Sequence, residues 1–327
     1  MVEREITIRR AEPSDRAEVL QLCRSSLGWS PKDPDEAFFS WKHDENPFGR
    51  SPAWIAVAPD STVVGLRVFL RWRFRTGSGE TVTAVRAVDT ATHPDWRGLG
   101  IFSKLTLGAL PELLDERVGA VFNTPNDKSM PGYLKMGWST VGKVPVSVRL
   151  GSVRSLPRLA NARTAAELWS EPVSVGVAAV EAFADADAVE LLLQRRAPTA
   201  GLGTDRTTDF LQWRYRFEPL HYRVLPLGDS VGDGIIVFRA RRRGGALEAT
   251  ICDVIAPRRA RVGAAFREIA RAVDADYLLA GSASARLTHG FVPAARLGPS
   301  LTWRPIERPT VPGMSELDLT LGDIELF

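Results

Sequence analysis

Cysteine is nearly absent: the 327 residues hold Cys23 and Cys252 and no others. Two cysteines so far apart make neither a disulfide framework nor a thiolate metal site, which points to a reducing, cytoplasmic setting. Histidine is almost as scarce. The four present, His43, His93, His221 and His289, show no ligand spacing, so neither zinc nor another metal is expected. Long hydrophobic runs are missing as well. Nothing approaches the ~18 consecutive apolar residues of a membrane-crossing helix, and the charged start MVEREITIRR lacks the apolar centre of a signal peptide. Strong charge imbalance is also lacking: 42 Lys and Arg against 39 Asp and Glu leave +3. That is too mild to imply nucleic acid, although it suits an anionic ligand.

What remains is ordinary globular material, 44% hydrophobic and 25% charged. It is enough for about two domains of roughly 100–200 residues. Residues 5–9 alternate as a strand. Asp15 and Glu18 then have capping-box spacing ahead of a helix that presents Val19, Leu22 and Cys23 on one face. Residues 35–41 predict a second short helix, ended by Asn46-Pro47-Phe48-Gly49. A hairpin follows over 54–58 and 63–74, then a strand over 82–91 and a helix from 101 to about 117 that Pro111 should kink. Residues 119–123 read as a strand, 126–136 as a short helix stopped by Gly137, and 138–150 as a further strand region. The order β-α-α-β-β-β-α-β-α-β predicts a mixed α/β fold. Its sheet is mostly antiparallel, with one right-handed β-α-β crossover.

The second half echoes the first. FLQWRYRFEPLHYRVLPL (210–227) resembles FFSWKHDENPFGRSPAWIAV (38–57), and Asp253 to Pro257 echoes Asp89 to Pro94. The helical pattern at 262–273 answers that at 101–117, and His289-Gly290-Phe291 answers Met136-Gly137-Trp138. Such a repeat marks a duplicated unit. The expected organisation is a first domain over 1–150, an Arg-, Ala-, Ser- and Pro-rich connector over 151–205, and a degenerate copy over 206–327. The last is closed by an added edge strand through Leu317, Leu319 and Leu321.

Chemistry concentrates in residues 85–108, VRAVDTATHPDWRGLGIFSKLTLG. An apolar strand turns at His93-Pro94-Asp95, passes Arg97-Gly98-Leu99-Gly100 and enters an amphipathic helix. Unpaired amides, close approach over glycine and the helix dipole together make such a loop an anion site. Arg97-x-x-Gly100 in this setting resembles the coenzyme A loop of the GNAT acetyltransferase superfamily, whose pattern is Gln/Arg-x-x-Gly-x-Gly/Ala. Asn126, Ser129, Tyr133 and Gly137-Trp138 resemble its second signature, Asn-x-x-Ser-x-x-x-Tyr-x-x-x-Gly-Phe. The resemblance spans about residues 5–150. Phe102 departs from it, standing where Gly or Ala is usual, where it either crowds the pyrophosphate or turns inward as core.

This resemblance implies a GNAT fold, duplicated, with catalytic parts kept only in the first copy. It implies acetyl-CoA as co-substrate, its pyrophosphate on the amides of Leu99, Gly100, Ile101, Phe102 and Ser103, with Arg97 and Gly98 beside it. The pantetheine arm would pair with the backbone at Ala91 and Thr92 and face Asn126 and Ser129. Tyr133 would protonate the leaving thiolate, a phenol of pKa about 10 against a thiol of about 8.5. Asp89 is the candidate base, although its recurrence as Asp253 favours a structural role. Trp29 would face the acceptor, whereas Trp41 is repeated as Trp213 and reads as core. The implied activity is transfer of an acetyl or other short acyl group to a small-molecule primary amine, by a cytoplasmic monomer or homodimer. No metal, nucleic acid or membrane is involved; the basic run at 239–243 reads as a solvated hairpin tip. The alternative is an inactive GNAT-like module, blocked by Phe102, that binds a metabolite or protein.

Overall fold

The computed structural model describes residues 5–30, 32–152, 155–160, 162, 164–198, 201–294 and 296–324. Residues 1–4 of the charged start, 199–200 of the connector and 325–327 of the tail lie outside the described residues. In chain order the strands are β1 (Thr7–Arg10), β2 (Ala53–Val57), β3 (Val63–Arg75), β4 (Thr81–Thr92), β5 (Ala120–Asn123), β6 (Ser139–Lys143), β7 (Val146–Leu150) and β8 (Val177–Ala178). They continue with β9 (Leu202–Thr204), β10 (Arg223–Pro226), β11 (Ile235–Arg243), β12 (Ala246–Ile255), β13 (Tyr277–Gly281), β14 (Val292–Pro293), β15 (Ser300–Pro305) and β16 (Leu317–Asp318). The α-helices are α1 (Arg16–Leu27), α2 (Asp35–Phe39), α3 (Ile101–Gly108), α4 (Leu110–Asp115), α5 (Met130–Lys135), α6 (Leu156–Ala160), α7 (Ala179–Ala182), α8 (Ala186–Arg195), α9 (Thr208–Tyr215), α10 (Val262–Ala272) and α11 (Leu321–Ile324).

The chain forms two compact units. One comprises residues 1–74, 81–142 and 300–312, the other 75–80, 143–299 and 313–327. In the first, strands run β1-β2-β3-β4-β5-β15-β6. β1, β2 and β3 pair antiparallel, whereas β4 and β5 are parallel and joined through α3 and α4. Helices cover both faces, which is why β3 is buried at every residue from Val63 to Leu70 rather than alternating. On one face α1 lays Val19, Leu22 and Cys23 against Ile55, Leu66 and Val68. On the other, α3 and α5 bring Ile101, Leu105 and Tyr133 into a core with Trp54, Phe69 and Val85. Gly65 lets α3 come this close: a Cβ there would lie 2.5 Å from the Ile101 side chain. The expected kink at Pro111 is a break at Ala109 between α3 and α4.

Two local expectations are corrected. The capping partner of Asp15 is not Glu18. The Glu12 amide donates to the Asp15 carboxylate at 2.7 Å, because Pro13 to Asp15 form a tight turn before α1. Glu18 instead accepts the Val63 amide at 3.1 Å. The region 138–150 is two strands, not one, and they belong to different sheets: β6 to the first unit, β7 to the second.

The second unit's sheet runs β14-β7-β13-β12-β11-β10-β8. Read from its other edge, it repeats the first with β7 in the place of β15. The fold is thus duplicated, and each sheet takes its penultimate strand from the other half of the sequence. β15 is held antiparallel to β5 from Thr302↔Asn123 to Pro305↔Ala120. Its Trp303 ring packs 5.9 Å from Phe74 and 6.1 Å from Phe122, and Arg304 donates to the Met136 carbonyl. In the tail, Leu317 and Asp318 pair in parallel with Leu202 and Gly203 before the chain turns into α11.

Trp303→Ala should therefore cost the first unit about 3–5 kcal/mol, as for other buried tryptophans. Urea unfolding followed by circular dichroism measures it. A loss below about 1 kcal/mol would mean that β15 does not complete this sheet.

Candidate active site

β4 pairs with β5 from Ala84↔Ala120 to Arg86↔Phe122, and no pairing follows. From Ala87 onward the two strands part. β4 continues to Thr92, a short turn of Pro94 to Trp96 follows, and the loop enters α3. Gly98 and Gly100 have φ of 79° and 72°, the left-handed region that glycine adopts without strain, and nothing lies within 4 Å of where their Cβ atoms would be. Among the described residues, the amides of 98–103 donate no backbone hydrogen bond ahead of the first helical one, from Lys104 to the Gly100 carbonyl at 3.0 Å. Arg97 is exposed beside them. An oxyanion fits this cradle.

The structure places the sequence-predicted residues as follows. Ile101 is core, and Ser103 is half-buried in the first turn of α3. Phe102 turns inward. Its ring meets Tyr133 edge to face at 5.3 Å, lies 5.2 Å from the Arg67 guanidinium and rests against Gly132. Ala91 is buried, and the Thr92 carbonyl accepts from the Ser26 hydroxyl at 3.2 Å. Asn126 and Ser129 brace the turn that leads into α5: the Asn126 side chain accepts the amides of Lys128 and Ser129 at 3.1 and 3.0 Å and the Ser129 hydroxyl at 3.1 Å. They thereby hold the helix that carries Tyr133. Trp29 is half-buried, edge-on to Phe38 at 5.8 Å.

Tyr133 is buried, and its oxygen accepts from Arg67 Nη2 at 2.7 Å. Arg67, wholly buried on β3, also donates to Thr106 at 3.2 Å and to Thr90. The phenol is thereby fixed, and its own proton is directed elsewhere than at Arg67. Sequence reasoning missed Arg67, because an arginine in the run VVGLRVFL carries no motif.

Asp89 sits at the parting of the strands with φ of 40°, unusual for a residue with a side chain. Its carboxylate is gripped from the α2 side. Lys42 Nζ lies 2.8 Å away and His43 Nε2 2.7 Å, while His43 Nδ1 meets the Ser51 hydroxyl at 3.0 Å. An ionised carboxylate only accepts, so Nε2 carries the proton and Nδ1 accepts from Ser51. Lys42 and His43 are both buried. They point inward because α2 continues into one wide turn, Ser40–Asp44, closed by the Glu45 amide on the Ser40 carbonyl at 3.1 Å. Such turns recur at functional sites. Burial pushes the His43 imidazole below its ordinary range, and the Asp89 interaction only partly offsets this. For Asp89 burial acts to raise the pKa, but the Lys42 charge and the His43 hydrogen bond outweigh it and hold the carboxyl well below the usual range. A carboxylate so stabilised is a poor proton acceptor. Lys42 and His43 escaped the sequence reading although the repeat held a signal: they align with Arg214 and Tyr215, and Tyr215 likewise donates to Asp253.

Residues 7–141 match the family model described as acetyltransferase (GNAT) domain. The chain resembles in fold a GCN5-related N-acetyltransferase from Anabaena variabilis (TM-score 0.64, 17% identity, 93% of this chain and 73% of that one). It likewise resembles a GCN5-related N-acetyltransferase from Kribbella flavida (0.62, 16%, 93% and 72%) and Eis1 from Mycobacterium abscessus (0.57, 14%, 93% and 74%). No curated protein matches the chain. Among the described residues no helix is long and apolar enough to cross a membrane, and no group of three or more His, Cys, Asp or Glu could hold a metal ion.

The buried pair sets a pH dependence. A histidine whose folded pKa lies below its unfolded value near 6.5 binds fewer protons when folded. Its contribution to stability is present above about pH 6.5 and is lost as pH falls below it. Asp89, also depressed, adds stability above about pH 3.9 that disappears at lower pH still. Stability should thus fall between about pH 6.5 and 5, and less steeply in His43→Gln; His289, also depressed by burial, supplies part of the remainder. Urea midpoints across that range test this. Identical profiles for the two proteins would remove His43 as a source.

Proposed function

We propose, from the match of residues 7–141 to the acetyltransferase (GNAT) domain model, that the protein is a cytoplasmic N-acyltransferase, a monomer or homodimer. It moves an acetyl or other short acyl group from acyl-CoA to the primary amine of a small molecule. The observation that carries this reading is the joining of three features in one unit: the open glycine loop before α3, the parting of β4 from β5, and the phenol of Tyr133 fixed by Arg67. The pyrophosphate would lie on the amides of Leu99 to Ser103 with Arg97 beside it. The pantetheine arm would run along Ala91 and Thr92, where β4 has lost β5 as a partner.

In the reaction the neutral amine nitrogen attacks the thioester carbonyl carbon, and a β4 amide receives the developing oxyanion. The C–S bond then breaks. The departing thiolate takes the Tyr133 proton, the new amide's surplus proton passes to water, and Tyr133 is reprotonated from solvent. Asp89 orients β4 and His43 and does not take the amine's proton itself, since Lys42 and His43 stabilise its ionised form and so depress its affinity for a proton. Phe102 does not stand in the way, because its ring is engaged with Tyr133 and Arg67. The reading as a blocked binding module therefore has no observation in its favour.

Tyr133→Phe should lower turnover on the order of 100-fold, at the low end for a lost general acid, with the acetyl-CoA dissociation constant changed less than about threefold. Free-thiol release with a panel of amines, beside calorimetric titration of acetyl-CoA, measures both. A wild-type rate would remove Tyr133 from the mechanism, and no heat of acetyl-CoA binding to the wild type would remove the function.

A further inference from the structure

We propose that the second unit holds a binding site of its own for an organic phosphate, in a cavity of about 540 Å³ between the diverging ends of β12 and β13. The volume falls within the roughly 300–1,000 Å³ of small-molecule sites. β12 pairs with β13 from Glu248↔Tyr277 to Ile251↔Ala280, and β12 then continues to Ile255 without it. The cavity opens there, floored by residues 251–257 and faced by the first turn of α10.

Its walls are short of negative charge. Arg196, Arg206, Arg258 and Arg286 line it, against Asp253 and Asp318. Arg206 is already neutralised, at 2.7 Å from Asp253 and 2.9 Å from Asp323. Arg196, Arg258 and Arg286 form no ion pair among the described residues; Asp205 and Asp253, each already paired with another arginine, act on Arg196 from farther off, and Asp318 is the remaining acid on the wall. Arg196 is half-buried. Burial and the charge of Arg206 press its pKa down, which Asp205 and Asp253 offset only in part; burial, with the neighbouring Arg286 and Arg267, presses down that of His289 on the same wall. An uncompensated guanidinium taken partly out of water is unfavourable. It becomes favourable when an oxyanion accepts its planar fork of donors, and a phosphate, with more anionic oxygens than a carboxylate, can answer more than one of these arginines at once. The eleven-residue helix α10 adds the positive end of its dipole on the same side. Ile255, Pro257, Val262 and Leu319 supply an apolar wall, so the ligand carries an organic body as well as its phosphate.

This site does not depend on the function proposed for the first unit. The residues from Pro257 to Arg261 stand where the first unit has its glycine loop, but they read PRRAR. The anion would therefore be held by side chains rather than by a bare backbone cradle.

The test is calorimetric titration of the full chain with ADP, adenosine, inorganic pyrophosphate and coenzyme A, in the wild type, in Arg97→Glu and in the double variant Arg196→Gln/Arg258→Gln. The expected result is ADP binding that the double variant weakens at least tenfold and that Arg97→Glu leaves unchanged. Adenosine should bind at least tenfold more weakly than ADP. Coenzyme A binding lost only in Arg97→Glu belongs to the first unit, and its failure would count against the first proposal alone. The double variant should melt no lower than the wild type without ligand, because it removes uncompensated charge. Equal binding of ADP and adenosine, binding of pyrophosphate without ADP, ADP affinity untouched by the double variant, or a lower melting temperature of that variant would each overturn the proposal.

Discussion

The Asp89 carboxylate is the constraint on which the cleft of the first unit depends. β4 has to stay in the sheet beside β3 while leaving β5, and it does so at a residue whose φ of 40° is costly for any side chain. What holds that conformation is the grip of Lys42 and His43 from the adjoining wide turn. Three buried polar groups are expensive in isolation. They are tolerable because the carboxylate oxygens, the ammonium and both ring nitrogens find partners, Ser51 completing the set. The same grip that shapes β4 also makes Asp89 a weak base, so its position and its chemistry pull in opposite directions. Position wins.

The second unit holds its corresponding aspartate with different parts. Asp253 is held by Tyr215 and Arg206 instead of a histidine and a lysine. β12 leaves regular pairing through a bulge opposite Val237 and Phe238. What diverged is the loop beyond. Two left-handed glycines leave a bare backbone in one copy, and three arginines replace them in the other. A backbone cradle and a side-chain cradle select anions differently: the first demands close approach, the second tolerates a range of positions at an entropic cost to the ordered arginines.

Much of this was legible in the sequence because it is local. Strand, glycine loop and amphipathic helix are read within a 24-residue window, and the repeat is read by aligning one half on the other. The exchange of β7 and β15 was not legible. Strand pairing is decided by which edge each strand can reach, and VSVRL and SLTWRP carry no mark of the sheet they join. Residues 138–150 look like one strand region because Pro145, which separates β6 from β7, interrupts an otherwise strand-like composition only briefly. Arg67 and His43 were hidden for a related reason. Their partners Thr106, Asp89 and Tyr133 lie 39 to 66 positions away in sequence, which no spacing rule encodes.

Phe102 shows how such long-range packing decides where a side chain goes when its local sequence leaves two places open. In a bare loop a phenylalanine after Gly100 would compete with the ligand for the same space. Here Gly132 leaves room beneath it, Tyr133 offers an edge-to-face partner, and the Arg67 guanidinium lies 5.2 Å from its ring and from that of Tyr133. Each arginine–aromatic contact in such a desolvated setting contributes on the order of 1–2 kcal/mol, so the ring is better placed inward than over the loop. The inward ring in turn helps to exclude water from the Arg67–Tyr133 hydrogen bond, which sharpens the aim of the phenolic proton. The residue that departs from the superfamily pattern thus buttresses the proposed acid, and the glycine loop stays open because of it.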